Sequence, residues 1–310
     1  MNGRHKPVTG IFQRLFGKRR ISDISASEST EDIQTIQSSG EISAHSPGHI
    51  SLFEPPQLMV GCGHSAGLQR EHNEDAIFTL TTTLVSNSTH IPFGFYIIAD
   101  GMGGHVHGEL ASEIAVRAMS THVIRNLYIP LYNLSSSAPN QSIQEIMQEG
   151  VQIAHRAIQH ESPGGGSTIT AMLIMGGQIT IAHVGDSRTY LIHSDGQIAS
   201  LTRDHSLVQR MQELGQLSDE EAAVHPQRNV LYRALGQREP LEADVTSQRI
   251  ISGYLLLCSD GLWGVVPEDE IVASVLNNTH PAQACQEMVA AANAAGGPDN
   301  ISAILVQLPG

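Results

Sequence analysis

The order of the strand-like segments is the feature that most constrains the fold of this chain. Several of these segments are separated only by short turns, such as Gly176-Gly177 and Ser194-Asp195-Gly196. Tight turns of this kind join antiparallel neighbours in a sheet. The order therefore predicts antiparallel sheets covered by helices, an α+β layer architecture. The predicted strands are 58–63, 76–84, 93–99, 167–175, 178–184, 188–193, 197–201, 245–250, 254–259 and 301–307.

Helical periodicity is found in six segments between these strands. Their apolar residues recur at the spacing of one helix face. The predicted helices are 108–126, 140–160, 206–215, 218–223, 267–276 and 281–295. With 310 residues and 40% hydrophobic side chains, the chain is able to bury a sizeable core.

Residues 1–55 differ in composition from the rest of the chain. They start with a basic segment and continue as a Ser-, Glu- and Gln-rich stretch that ends near Pro55-Pro56. Such a stretch buries too little apolar area to offset the entropy lost on ordering. We predict a disordered N-terminal tail with a basic start at 1–55 and one globular domain at 56–310. The basic start also suits contact with an acidic membrane or partner, an alternative that stays open.

The charge distribution bears on possible partners. The chain has 17 Lys and Arg and 31 Asp and Glu, for a net charge of −14. Six of the basic residues fall within residues 1–20, which contain no acid, so the rest of the chain is strongly acidic. A surface that binds nucleic acid needs clustered positive charge, so nucleic acid is not an expected partner.

The cysteines and the apolar segments indicate the compartment. Cys62, Cys258 and Cys285 have neither a paired nor a metal-binding spacing, which favours a reducing cytosol. No apolar stretch approaches the roughly 18–20 residues that span a bilayer, and the first residues lack the apolar core of a signal peptide. We therefore expect a soluble, cytoplasmic protein without a transmembrane segment.

Three acidic residues lie where predicted strands end or begin. Asp100 and Asp260 close strongly apolar runs, and Asp299 precedes the last predicted strand. If strands 254–259 and 301–307 are antiparallel neighbours, Asp260 and Asp299 share one rim. No Lys or Arg is close to these acids in sequence, and hard cations such as Mg²⁺ and Mn²⁺ favour oxygen ligands. The sequence therefore predicts a metal site.

Asp-Gly pairs also occur in ordinary hairpin turns, which is the alternative interpretation of Asp100 and Asp260. Asp195-Gly196 lies between two short alternating runs and is predicted to be such a turn. The other two pairs differ from it, because the apolar runs before them have the length of buried strands.

The segment containing Arg70, Glu74 and Asp75 has two interpretations. In the first, Arg70 and the acids form a surface ion pair that contributes little to stability. In the second, the planar guanidinium group of Arg70 binds a phosphate while the acids help to hold a metal. Downstream, Gly101 and its neighbouring glycines leave backbone carbonyls unshielded, which suits a loop around an ion.

Eight motifs, in this order, closely resemble the bacterial branch of the protein phosphatase 2C family, the metal-dependent serine/threonine phosphatases. The resemblance covers about residues 58–308 and does not include the tail. The motifs are Arg70-x-x-x-Glu74-Asp75, Ala99-Asp100-Gly101-Met102-Gly103-Gly104-His105, Gly166-Ser167-Thr168, Val184-Gly185-Asp186-Ser187-Arg188, Thr202-x-Asp204-His205-Ser206, Arg233-Ala234-Leu235-Gly236, Ser259-Asp260-Gly261-Leu262-Trp263 and Asp299-Asn300.

The resemblance implies a fold and a binuclear metal centre. The fold is two antiparallel sheets packed as a sandwich, with helices on both outer faces. Asp100 would bridge two tightly bound Mn²⁺ or Mg²⁺ ions, and the Gly101 carbonyl would complete one shell. Asp260 and Asp299 would hold the other ion. A hydroxide bridging the two ions would attack phosphorus in line, without a covalent enzyme intermediate.

The resemblance also implies roles for the remaining site residues. Glu74 and Asp75 would bind metal or its waters, and Arg70 would clamp the phosphate. Asp186 would help to bind a third, weaker ion, although the residues alone equally favour a turn residue paired with Arg188. Animal members carry a His where this chain has Met102, so the group that protonates the leaving alkoxide stays unassigned.

The implied partners are phosphorylated proteins, marked by a bacterial serine/threonine kinase.

A cysteine phosphatase of the Cys-x5-Arg type is excluded, because Leu68 and Gly264 stand where the Arg after Cys62 or Cys258 would be. The second hypothesis is a non-catalytic pseudophosphatase that binds a phosphorylated partner. It predicts a lost ligand, whereas all the expected acids are present.

Overall fold

The computed structural model describes residues 57–86, 89–103, 106–132, 141–237, 240–250 and 252–309. The tail predicted at 1–55 lies outside these ranges, so the tail and its boundary stay predictions. His105, the last residue of the second motif, also lies outside them. Within the ranges, no helix combines the length and the apolar character needed to cross a membrane.

The described residues form eleven strands, arranged in two antiparallel sheets. The strands are β1 Met59–Ser65, β2 Asp75–Ser86, β3 Thr89–Met102, β4 Gly166–Ser167, β5 Ile169–Met175, β6 Gln178–Val184, β7 Arg188–Ile192, β8 Ile198–Ser200, β9 Asp244–Arg249, β10 Tyr254–Cys258 and β11 Ile301–Gln307. One sheet has the order β1-β11-β10-β7-β8. The other has the order β2-β3-β5-β6-β9, with β4 paired to β3.

The described residues also form eight helices. They are α1 Val106–Val123, α2 Ile129–Tyr132, α3 Ile143–Glu161, α4 Leu207–Glu213, α5 Asp219–Ala223, α6 Asp260–Trp263, α7 Glu268–Asn277 and α8 Pro281–Ala294. A π-helical turn, Ile124–Tyr128, joins α1 to α2. Helices α1 and α3 pack on the six-stranded sheet, and α7 and α8 pack on the five-stranded sheet. The predicted sandwich with two outer helical layers is confirmed.

The alternation of side chains along β3 explains why its sequence is continuously apolar. Phe95 and Ile97 face the core under α1 and α3, whereas Tyr96 and Ile98 face the core between the two sheets. Successive strand residues point to opposite faces, and here both faces are buried. Continuing the alternation, Asp100 points towards the gap between the sheets at its open end.

At Asp100 and Asp260, two local details differ from the sequence prediction. Strand β3 does not end before Asp100 but continues to Met102, because Asp100 pairs with Asp75 of β2 and Gly101 pairs with Ser167 of β4. Asp260 begins the short helix α6. The sequence did not predict this helix, because four residues are too few to show a periodic pattern.

The turn predicted at Asp195-Gly196 is confirmed. It joins the paired strands β7 and β8, and the Gly196 N–H donates to the His193 carbonyl at 3.0 Å. Gly196 has φ of 90°, a conformation that glycine adopts without strain.

Candidate metal centre

A cavity of about 320 Å³ lies where the acidic residues meet at one end of the sandwich. Seven of the eight predicted site residues line it, namely Arg70, Glu74, Asp100, Gly101, Asp186, Asp260 and Asp299. The eighth, Asp75, is buried and does not line the cavity. We call this cavity the metal-centre cavity.

Strand pairing brings the acids together. Strands β10 and β11 are antiparallel neighbours, as predicted, with Cys258 opposite Ala303. The end of one strand and the start of the other therefore place Asp260 and Asp299 on the same rim. In the other sheet, Asp75 and Asp100 lie directly opposite each other.

The Asp75 carboxylate connects the two sheets beside the cavity. Its Oδ2 accepts hydrogen bonds from the hydroxyls of Ser259, at 2.8 Å, and Ser302, at 2.7 Å. Both serines belong to the end of the five-stranded sheet, whereas Asp75 begins β2 of the other sheet. Its Oδ1 is buried and has no hydrogen-bond partner among the described residues. One oxygen thus holds the sandwich end together, and the other is left without a donor.

The backbone of Asp100 is held by the Ser167-Thr168 pair. The Asp100 N–H donates to Thr168 Oγ1 at 2.9 Å, and the Thr168 N–H donates to the Asp100 carbonyl at 2.8 Å. Ser167 Oγ donates to the same carbonyl at 3.0 Å. The Asp260 carboxyl group is close enough to Asp100 to raise the pKa of the Asp100 side chain. Two carboxyl groups so close together cannot both ionise easily.

Positions 101 and 108 require glycine, because neighbouring atoms lie too close to leave room for a Cβ atom. A Cβ atom on Gly101 would lie 2.1 Å from the Gly108 carbonyl oxygen, and one on Gly108 would lie 2.0 Å from Glu74 Oε2. The first turn of α1 can therefore pack directly against the Glu74 side chain. Glu74 is also tied down through its backbone, since its N–H donates to Asn300 Oδ1 at 2.8 Å.

Asn300 also positions the loop that carries Arg70. Its amide Nδ2 donates to the carbonyls of Ala66 and His72, at 3.0 and 2.9 Å. Arg70 itself is half exposed, and its Nη2 donates to Asp299 Oδ2 at 2.9 Å. Its guanidinium group therefore lies at the rim of the cavity, where a ligand entering from solvent meets it.

Asp186 lies in the turn between β6 and β7, as its alternative interpretation predicted, but Arg188 forms its ion pair with Asp204 and not with Asp186. Arg188 binds both oxygens of Asp204 at 2.8–3.2 Å and stacks 3.6 Å from the ring of Trp263. Trp263 in turn donates its Nε1–H to the Asp186 carbonyl at 3.0 Å. The Asp186 side chain is 6% exposed and faces the cavity.

Burial and mutual repulsion raise the pKa values of these carboxyl groups. Burial raises the pKa of Asp75 to about 7 and that of Asp260 to about 6. The pKa values of Asp100 and Asp186 are raised well above the ordinary range, first by burial and then by the neighbouring acids. An added cation would offset both effects and allow the group to ionise.

The donor set fits a hydrated hard cation. Among the described residues, no three Asp, Glu, His or Cys side chains are grouped so that they would hold an ion alone. Mg²⁺ usually keeps several waters and binds through one or two carboxylates. The buried, unpartnered Oδ1 atoms of Asp75 and Asp260 are the acceptors that such an ion or its waters would satisfy.

Three hydroxyl groups that support the acids of the site were not assigned a role from the sequence. Thr168, Ser259 and Ser302 hold the backbone of Asp100 or the carboxylate of Asp75. Ser302 was detectable, because it interrupts the apolar strand β11 and a buried hydroxyl needs a partner. Asn229 and Leu231 also line the cavity, and no sequence signal indicated them.

Comparisons with known proteins agree with this geometry. The family model "Protein phosphatase 2C" matches residues 61–301. A "Putative protein phosphatase 2C-type" of Streptococcus pyogenes is 37% identical over 211 residues, which cover 68% of this chain and 84% of the relative. "Serine/threonine phosphatase stp" of Listeria innocua is 36% identical over 242 residues, which cover 78% of this chain and 92% of the relative.

A solved structure shows the same fold. It is the catalytic domain of the serine/threonine protein phosphatase PstP in complex with two manganese ions, which is 27% identical with a TM-score of 0.66 and covers 82% of this chain and 100% of that one. Sequence and fold thus agree over the residues that form the cavity. The chain belongs to the protein phosphatase 2C family, within the bacterial branch of metal-dependent serine/threonine phosphatases.

Proposed function

We propose that this chain hydrolyses phosphoserine and phosphothreonine in proteins at the metal-centre cavity, using two tightly bound Mn²⁺ or Mg²⁺ ions and a third, weaker one. The observation that carries the proposal is the convergence of Asp100, Asp186, Asp260 and Asp299 on one cavity with Arg70 at its rim. Carboxylates crowded in this way are stable as anions only beside added positive charge.

Each residue has a proposed role in holding the ions. Asp100, placed beside Asp260 and opposite Asp75, would be the ligand shared by the two tight ions, and the Gly101 carbonyl would help to hold one of them. Asp260 and Asp299 would hold the other from their shared rim. Glu74 and Asp75 hold metal or its waters, and Asp186 supports the third ion.

When bound, the ions supply a hydroxide nucleophile from water at neutral pH and positive charge at the phosphoryl oxygens. Arg70 grips the phosphate dianion with its planar fork, releasing Asp299 as it does so. Ser259 and Ser302 donate to the Asp75 carboxylate and so favour its charged form. Met102 lines the cavity but has no proton to give, so we assign protonation of the leaving alkoxide to water.

We also propose the setting in which the enzyme works. Its substrates are proteins phosphorylated by a bacterial serine/threonine kinase, and it acts in the cytoplasm. Residues 1–55 are dispensable for hydrolysis, because their composition does not support a core that packs on the domain. Removing them should leave kcat for a small aryl phosphate unchanged.

The test is metal-dependent turnover by the full chain. We expect hydrolysis of aryl phosphates and of phosphoserine or phosphothreonine peptides with Mn²⁺ or Mg²⁺, and none in excess chelator. Undiminished turnover in chelator, with metal content measured as nil, would overturn the proposal. Tight binding of phosphopeptides without any turnover in Mn²⁺ would instead indicate the pseudophosphatase.

A further inference from the structure

We propose that a second pocket, beside the metal centre, binds the dianion of a phosphate monoester. This arginine pocket has a volume of about 310 Å³ and is lined by Arg203, His205, Arg210, Tyr232, Arg233 and Asp244. The inference rests on the proposed function in one respect: the phosphate monoester is carried by the substrate protein, as a second phosphorylated residue.

Arginine is concentrated here in an otherwise acidic domain. Residues 57–310 contain eleven Arg and no Lys, and three of these arginines line this one pocket. A guanidinium group presents parallel N–H donors that match two phosphate oxygens at once. Three such groups around one depression form a recognition site for a dianion.

Most donors of Arg203 and Arg210 are open to a ligand. Each uses one N–H group within the described part of the chain, and both contact the same oxygen, Oε2 of Glu213. A guanidinium group has five N–H donors. Both side chains are 55% exposed, and exposed ion pairs of this kind contribute little to stability. A phosphate therefore meets two cations that share a single carboxylate oxygen.

The floor of the pocket is built from packed and hydrogen-bonded groups. His205 is buried, and its Nδ1 accepts from the Gly185 N–H at 3.1 Å while its Nε2 lies 3.3 Å from Asp244 Oδ2. Arg233 donates to Asp244 Oδ1 at 2.9 Å and lies 5.8 Å from the centre of the Tyr232 ring. Arg233 is thereby held in place, and Arg203 and Arg210 complete the site from the exposed side.

One chain segment separates the arginine pocket from the metal-centre cavity. Asn229 and Leu231 line the cavity, whereas Tyr232 and Arg233 line the arginine pocket. The segment is held by a hydrogen bond from the Tyr232 N–H to the His205 carbonyl, at 2.9 Å. A substrate with two phosphorylated residues close in sequence can therefore place one at each site, and the arginine pocket anchors it while the other is hydrolysed.

Binding without turnover tests the pocket directly. A labelled peptide with one phosphoserine is titrated with the full chain in chelator, and its anisotropy is followed. We expect Arg203→Gln combined with Arg210→Gln to weaken binding about tenfold, because charge-assisted bonds are lost. The matched control is Arg117→Gln, which breaks another exposed ion pair, with Glu161. Equal binding by the double variant and the wild type would overturn the proposal.

Competition identifies the source of the phosphate group. An unphosphorylated peptide should not displace the label, and an unlabelled doubly phosphorylated peptide should. Displacement by inorganic phosphate at comparable concentration would show a site for the free ion and would overturn the assignment to substrate. Displacement by phosphopeptide alone supports it.

Turnover in Mn²⁺ separates this proposal from the proposed function. The wild type should have about tenfold lower KM for a doubly than for a singly phosphorylated peptide, and the double variant should lose this preference while keeping kcat for an aryl phosphate. An equal loss on the aryl phosphate would overturn a separate site. If the wild type hydrolyses neither peptide, the proposed function fails, and the chelator experiment still decides the pocket.

Discussion

The metal-centre cavity and the arginine pocket have similar volumes, but acids dominate the cavity and arginines the pocket. The two groups of charged side chains differ in burial and in ion pairing. The acids of the cavity are largely buried, and burial raises the pKa of Asp260 to about 6. Arg203 and Arg210 of the pocket are more exposed, and all three of its arginines lie within 4 Å of a carboxylate. Burial, more than the number of charges, therefore decides which site depends on an added ion.

The largest expected effect comes from removing the proposed bridging acid. Asp100→Asn should lower kcat by at least about a thousandfold, a loss of roughly 4 kcal/mol of transition-state stabilisation. Asp195→Asn is the matched control, because Asp195 also precedes a glycine but lies in the turn between β7 and β8. Steady-state kinetics at saturating Mn²⁺ measure both variants. Near-normal kcat for Asp100→Asn would show that the bridging assignment is wrong.

The comparison also predicts how pH changes stability without metal. The folded-state pKa values of Asp75, about 7, and Asp260, about 6, exceed the roughly 3.9 of an unfolded Asp. The folded state thus keeps protons that the unfolded state releases. Stability is fully present below about pH 4 and is lost as the pH rises through 6–7, by about 1.4 kcal/mol per pH unit for each proton.

Thermal unfolding with and without Mn²⁺ checks this prediction. The rise in Tm caused by Mn²⁺ should be larger at pH 7.5 than at pH 5. Burial lowers the pKa of His183 to about 3, so its contribution to stability is lost as the pH falls below about 6.5. This opposite trend is common to both measurements and cancels in the difference. A Tm rise independent of pH would show that the acids do not hold the ion.

Arg70 offers a way to compare a cation at the cavity rim with those of the arginine pocket. Arg70→Ala should raise KM for an aryl phosphate about tenfold with a smaller fall in kcat, because it removes ground-state binding and some transition-state stabilisation. Arg117→Ala, at another exposed ion pair, should change neither constant. An unchanged KM for Arg70→Ala would leave the Arg70 pair with Asp299 as a structural contact only.

The smallest expected effect is at Asp186. Asp186→Ala should reduce kcat and raise the Mn²⁺ concentration for half-maximal rate roughly threefold or more, because fewer charged oxygens then hold the weaker ion. Two tightly bound ions should remain, as measured by metal content after desalting. Superimposable rate curves for the variant and the wild type would remove Asp186 from the site.

Local patterns in the sequence predicted much of the fold. Hairpin turns indicated antiparallel sheets, and the apolar runs before Asp100 and Asp260 indicated strands buried on both faces. The structure confirms the pairing of β10 with β11 that places Asp260 and Asp299 together. These features depend on turn chemistry and on side-chain alternation, which neighbouring residues determine.

Other features depended on contacts between residues far apart in the chain. Only the tertiary structure decided that Arg188 binds Asp204 rather than Asp186, and that Asp75 joins the two sheets through Ser302. The arginine pocket likewise combines residues from 203 to 244. A periodic pattern reports which face of an element is buried, but not which distant side chain lies opposite it. By itself, the sequence determined the strands and their acids, whereas packing decided each polar partner, because a buried charge pairs with whatever the fold places beside it.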